Sequence, residues 1–194
     1  QGARSILPDN LPAEFCWRIN ELRGWQGLQE SLSQAPQRVA IVGAGMIGCE
    51  LAEDIVKAGH EVTLINRRAY PLASLLPEKA GLRLLSSFME IGITHLAETE
   101  VSEVKSNANA ERRVIFKDGS SLLCDQVIAA VGLTTHDRLA RHAGLEFDNG
   151  ITVNPATLRT SNKDIYALGD CISLDGEPCR FVEPITHQSR TIAK

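Results

Sequence analysis

Apolar positions along the chain change their spacing repeatedly between Arg38 and Gly132. "RVAIVG", Arg38 to Gly43, is a continuous apolar run rich in β-branched residues, the pattern of a strand buried on both faces. From Met46 to Ala58 the spacing lengthens, with Ile47, Leu51, Ile55 and Ala58 three or four positions apart. That spacing predicts a helix, and Gly59 is its natural C-terminal stop. "EVTLIN", Glu61 to Asn66, returns to strand. Pro77 to Met89 predicts a second helix with the proline at its start, and "GITHLA" resumes a strand.

Three shorter β-like pieces follow, "VSEVKS", "RRVIFK" and "SSLLC", joined by "NANAE" and by "DGS", which reads as a hairpin turn. "QVIAAVG" is another fully apolar run and ends in Gly132. Beyond it come a short helix near Arg138 to Ala143, the segment "GITVNPATLRTSNKDIYALGDC", and a final helix from about Pro184 to Lys194. Residues 1–36 hold three prolines and two tryptophans with no sustained period, so they read as a connecting segment. The pattern as a whole is α/β.

Composition narrows the function classes. With 194 residues, 43% of them hydrophobic and 23% charged, the chain can bury one sizeable core or two small ones. The net charge is only −4 and no dense basic run occurs, which argues against nucleic acid and against a membrane surface as partner. Without a long apolar stretch or a secretory-type N-terminus, a cytoplasmic location is expected. Cys16, Cys49, Cys124, Cys171 and Cys179 form no C-x-x-C pair and no metal-finger spacing, so reduced, packed thiols are expected and no metal site. Motifs of nucleophilic or metal-assisted hydrolysis are absent too, so hydrolase chemistry has no visible nucleophile.

Gly43, Gly45 and Gly48 fill the pattern G-x-G-x-x-G. In such a turn the first glycine permits the tight bend, the second lets backbone approach a pyrophosphate, and the third allows close helix–strand packing. The free N–H groups of Met46, Ile47 and Gly48 then face an anion with the positive end of the helix dipole behind them. Three glycines can also make a merely compact turn. Here an apolar strand precedes them, an amphipathic helix follows, and a second strand ends at Asn66, about 20 residues on, where a ribose is read.

At that point a carboxylate would bind both hydroxyls of an NAD ribose and repel a 2′-phosphate. The chain carries Asn66, Arg67 and Arg68 instead. Asparagine removes the repulsion, and two permanently charged forks suit phosphate oxygens, so NADP is expected over NAD. A solvated loop could also carry two arginines.

Further on, "TSNKDIYALGDC" fits T-x-x-x-x-I-Y-A-x-G-D from Thr160 to Asp170. Together with "GAGMIGCELA", "YPLASLLPE" and "AAVGL" it makes the chain resemble the flavin-dependent pyridine-nucleotide reductases with two dinucleotide-binding domains, the rubredoxin and flavorubredoxin reductases above all. The resemblance spans nearly the whole chain. It implies a Rossmann-like NAD(P)H-binding domain over residues 36–132, with a parallel sheet and a β-meander. Segments of an FAD domain would flank it at 1–35 and 133–194.

By the same resemblance Asp170 accepts a hydrogen bond from the flavin ribityl chain, Gly169 allows close approach, and Pro184 and Ile185 begin a helix aimed at the flavin. Gly132 falls beside the nicotinamide. Glu50 matches a glutamate near the two rings, and equally an acid favoured early in a helix by the dipole. The implied activity is hydride transfer from NADPH to FAD and electron delivery to a rubredoxin-like carrier, with NAD as the alternative nucleotide. A non-catalytic NADP-binding module is the competing reading. The resemblance also implies a fragment, since the N-terminal FAD motif of such reductases is missing.

Overall fold

A computed structural model describes residues 2–6, 8–107 and 111–193. Most of the "NANAE" link and Lys194 lie outside the described residues. The chain divides into two compact units, Ser5–Gly132 and Gln1–Arg4 with Leu133–Lys194. In chain order the elements are β1 (Ala3–Ser5), α1 (Leu22–Leu32), β2 (Arg38–Val42), α2 (Met46–Lys57), β3 (Glu61–Ile65), α3 (Glu78–Glu90), β4 (Thr94–Leu96), β5 (Val101–Ser106), β6 (Arg112–Phe116), β7 (Ser121–Cys124) and β8 (Gln126–Ala129). They continue with β9 (Leu133–Thr135), α4 (Arg138–His142), β10 (Ile151–Thr152), a single 3₁₀ turn at Gly169–Cys171, β11 (Ile172–Leu174), β12 (Glu177–Pro178) and α5 (Val182–Ile192).

The larger unit is built on a parallel sheet in the order β4-β3-β2-β8. Ile41 pairs with Leu64 on one side and Ile128 on the other, so β2 is central. Because side chains alternate across a strand, its two faces carry different partners. Val39, Ile41, Val62, Leu64 and Ile128 pack with Leu28, Ala52, Ile55 and Phe88 from α1, α2 and α3. Ala40, Val42, Ile65, Val127 and Ala129 face Val101, Val104, Val114, Phe116 and Cys124 of the antiparallel meander β5-β6-β7. Both faces are covered, which is why β2 and β8 read as unbroken apolar runs. The expected α/β architecture, parallel sheet with a β-meander, is what forms.

The "DGS" turn closes β6 onto β7, with the Ser120 N–H donating to Asp118 Oδ1 at 2.9 Å. Gly59 takes φ +93° just past α2, as a helix stop should. Residues before Pro36 depart from expectation, since they contain the eleven-residue helix α1. Its apolar positions Leu22, Trp25, Leu28 and Leu32 keep helical spacing, but Gly24 and Gly27 dilute the signal. Those glycines are steric: a Cβ on Gly24 would overlap the Arg18 carbonyl, and one on Gly27 would lie 2.8 Å from the Trp17 ring. Trp17 itself extends the sheet, its N–H donating to the Val127 carbonyl at 2.8 Å and its carbonyl accepting from Ala129 at 2.9 Å. The Trp17 indole N–H donates to Gln126 Oε1 at 2.7 Å, and the Gln126 amide donates in turn to Ser31 and Gln37.

The smaller unit has its own core of Ala140, Ile151, Val153, Leu158 and Ile172, beside a small sheet β10-β11-β12. Its final helix starts at Val182, two residues before the expected Pro184. Proline is tolerated there because first-turn N–H groups have no intrahelical acceptor. No helix among the described residues is long and apolar enough to cross a membrane. All five cysteines are free thiols, and burial pushes Cys16 and Cys49 up to about 11 and Cys124 to about 12, far from thiolate reactivity.

Two outcomes test this packing. Leu28 is fully buried and Leu22 is 70% exposed on the same helix. In urea unfolding, Leu28→Ala is expected to lose about 2–5 kcal/mol and Leu22→Ala no more than about 0.5. His95, half-buried in β4 with Nε2 lacking a partner among the described residues, is held below its ordinary value of 6.5 by burial. The unfolded chain therefore binds the extra proton more readily, so stability is full above 6.5 and declines as pH falls below it. Between about pH 7.5 and 5.5, Tm should fall less in His95→Gln than in the unaltered protein.

Candidate functional site

A cleft of about 840 Å³ opens at the carboxyl ends of β2, β3 and β8, where ligands of open parallel sheets sit. Gly43, Gly45, Asn66, Arg67, Arg68 and Gly132 all line it, together with Ser74, Thr99 and Val131. Spacing alone offered no signal for those last three, which arrive from separate loops.

The three glycines of the turn do three different things. Gly43 has φ +110°, and a Cβ on it would strike the Ala130 carbonyl, so the bend after β2 can form only without a side chain. A Cβ on Gly48 would overlap the Gly43 carbonyl, so α2 can start this close to β2 only as glycine. Gly45 meets nothing within 4 Å, so its missing side chain leaves room toward open space rather than toward protein. It caps α2 in extended conformation, and its carbonyl accepts the first helical N–H, from Cys49, at 3.0 Å. The N–H groups of Met46, Ile47 and Gly48 belong to the turn that has no intrahelical acceptors. Met46 and Ile47 are exposed, as is Glu50 on the following turn. A diphosphate fits this cradle: open room at Gly45, first-turn donors without an intrahelical acceptor, and a helix dipole pointing at it.

At the far strand end, Asn66 is fixed by its backbone. Its N–H donates to Leu96 and its carbonyl accepts from Thr99, both at 2.9 Å. Its side-chain Nδ2 donates to the Tyr70 carbonyl at 2.8 Å, closing the loop that presents the two arginines. Arg67 and Arg68 are exposed, and neither guanidinium has a hydrogen-bonded protein partner among the described residues. Arg67 senses Glu100, whose carboxylate is occupied by Lys117 at 2.8 Å and is held below the usual glutamate range by it. Leu72, in the left-handed region at φ +57°, donates its N–H to the Ala44 carbonyl at 2.8 Å and so ties this loop to the glycine turn.

In the smaller unit, Gly169 takes φ +75° at the head of the 3₁₀ turn, and its N–H donates to Oε1 of the buried Gln188 at 2.8 Å. Ile185 lies against Gly169, with Pro184 beside it on the first turn of α5. The Asp170 carboxylate accepts no hydrogen bond among the described residues, while its backbone carbonyl accepts from Thr135 at 3.3 Å. A free carboxylate next to a left-handed glycine fits a polyhydroxyl chain. Gln188 is a buried polar residue that sequence reasoning missed, because helical glutamines are ordinarily solvated.

Stability should separate the glycines. Gly48→Ala is expected to lower Tm by several degrees, through the collision with the Gly43 carbonyl, while Gly45→Ala leaves Tm within about one degree. Differential scanning calorimetry of the two variants checks it.

The model of the family described as pyridine nucleotide-disulphide oxidoreductase matches residues 1–190. The nitric oxide reductase FlRd-NAD(+) reductase of Klebsiella pneumoniae is 37% identical over 193 residues, covering 100% of this chain and 50% of that protein. The rubredoxin-NAD(+) reductase of Acinetobacter baylyi is 38% identical over 178 residues, covering 91% and 45%. Among solved structures, the ferredoxin reductase of the CYP199A2 system from Rhodopseudomonas palustris superposes with TM-score 0.89 at 27% identity, covering 99% of this chain and 49% of that one. The putidaredoxin reductase in a covalent complex with putidaredoxin gives 0.89 at 28%, with the same coverage. The chain thus spans about half the length of the curated relatives it matches. A match over nearly every residue, to the family model and to these relatives alike, makes the chain a member of the pyridine nucleotide-disulphide oxidoreductase family.

Proposed function

We propose that this chain is the pyridine-nucleotide-binding half of a flavoprotein reductase that takes NADPH. The observation that carries the reading is one cleft containing both an open Gly45 and two guanidinium groups without hydrogen-bonded protein partners among the described residues. The diphosphate would rest on the N–H groups of Met46, Ile47 and Gly48, with Gly43 making the bend. Arg67 and Arg68 would hold the 2′-phosphate, and Asn66 would contribute by adding no negative charge there. Gly132 and Glu50 are proposed for the nicotinamide end.

On the flavin side, the Asp170 carboxylate would accept a ribityl hydroxyl, Gly169 would leave room for it, and Pro184 and Ile185 would set the start of α5 toward the ring. When both are bound, the two cofactors supply hydride transfer from NADPH to FAD and then single-electron delivery to a small redox protein of rubredoxin type. The carrier class is supported by the rubredoxin named for the Acinetobacter relative and by the redox-protein complex among the structural neighbours. The chain's own task is binding and orientation, and no side chain is assigned to proton transfer.

The relatives are named for NAD(+), so nucleotide preference is the sharpest test. A charge-assisted contact is worth roughly 1.5–3 kcal/mol, and exposure of both arginines places the effect at the lower end, about tenfold. Titration with NADPH and NADH should show NADPH binding about tenfold tighter, and Arg67→Ala with Arg68→Ala should remove that difference while leaving NADH unchanged. Equal affinities in the unaltered protein would overturn the preference.

A further inference from the structure

Gly81 lies inside α3, where glycine is less favourable than alanine, so it needs a steric reason. The reason is Tyr70: a Cβ on Gly81 would collide with the edge of the Tyr70 ring, whose Cε2 would lie 2.6 Å away. Tyr70 does not line the cleft, yet it sits two residues beyond Arg68, and its carbonyl takes the Asn66 side-chain hydrogen bond. The same loop is held at its other points by main chain. The Arg68 carbonyl accepts from Glu98 at 3.3 Å and the Leu72 N–H reaches Ala44. Backbone bonds thus tether Asn66, Arg68 and Leu72, whereas Tyr70 is seated by its ring on a bare stretch of helix.

We infer that the seating of Tyr70 on Gly81 is a specificity device, positioning Arg67 and Arg68 for a 2′-phosphate from outside the cleft. The inference rests on the reading of those arginines given above. Moving the ring off α3 displaces the Tyr70 carbonyl and breaks its bond with Asn66, which loosens the side chains of the arginine pair while the backbone bonds at Arg68 and Leu72 keep the loop on the glycine turn. The effect falls on the phosphate that distinguishes two nucleotides and spares what they share. Tyr70 and Gly81 are therefore positioning residues, and neither contacts the ligand.

Adenosine fragments isolate this end of the site. Titrating the 194-residue chain with 2′,5′-ADP and with 5′-AMP should give a preference for the former of about tenfold. In Gly81→Ala that ratio should fall to within about twofold of unity while 5′-AMP affinity holds within about twofold. Tyr70→Ala, which removes the ring instead of displacing it, should do the same and decides the matter if Gly81→Ala does not fold. Tyr70→Phe keeps the ring and should keep the ratio. The inference is overturned if the preference is present and is lost in Arg67→Ala with Arg68→Ala, yet survives in Gly81→Ala and Tyr70→Ala, or if Tyr70→Phe loses it too. No preference in the unaltered chain overturns both this inference and the reading beneath it.

Discussion

The rest of the structure depends on backbone meeting backbone at one place. The end of β2, the start of α2 and the exit from β8 converge so closely that the Gly43 carbonyl stands where a Cβ of Gly48 would be, and the Ala130 carbonyl where a Cβ of Gly43 would be. Closing that gap leaves the strand ends forming a concavity instead of a filled corner, and it points the first turn of α2 into the concavity. Core packing alone would not produce this, because apolar side chains there would drive the helix off the sheet.

Behind the cleft the sheet acts as a partition. One face of β2 serves three helices and the other serves an antiparallel meander, so two separate apolar clusters share β2, β3 and β8. The polar groups at the opposite end of the strands are paired off: Arg38 meets both Asp125 and Glu111 at 2.7 Å. These charges are partly exposed, so the pairs add little stability. The interior thiols Cys16, Cys49 and Cys124 are pushed further above their ordinary range by burial.

Much of this was legible in the residues. Strands β2, β3 and β8 and helix α2 follow from apolar spacing, and Gly43 and Gly48 fall where the packing of backbone on backbone needs no side chain. Asn66, Arg67 and Arg68 come together with Gly43, Gly45 and Gly132 because all of them sit at strand ends, which a βαβ pattern places side by side. Helix α1 was hidden because glycines required by Trp17 and Arg18, distant in no pattern that periodicity detects, interrupt its apolar stripe. Likewise nothing in the spacing pairs Tyr70 with Gly81, or Gly169 with Gln188. Such contacts are set by tertiary approach, and a glycine in mid-helix records only that something comes near.

The pairing of β2 with β8 carries a consequence for how the chain is made. Arg38 and Asp125, joined at the foot of these strands, are 87 positions apart, and the intervening elements must be threaded before the central strand gains its second neighbour. Until then a very apolar β2 has an open edge, the kind of surface that recruits strands from other molecules. Synthesis from the ribosome therefore passes through an interval in which the future cleft is half a wall, shielded only by β3 and the helices already emerged.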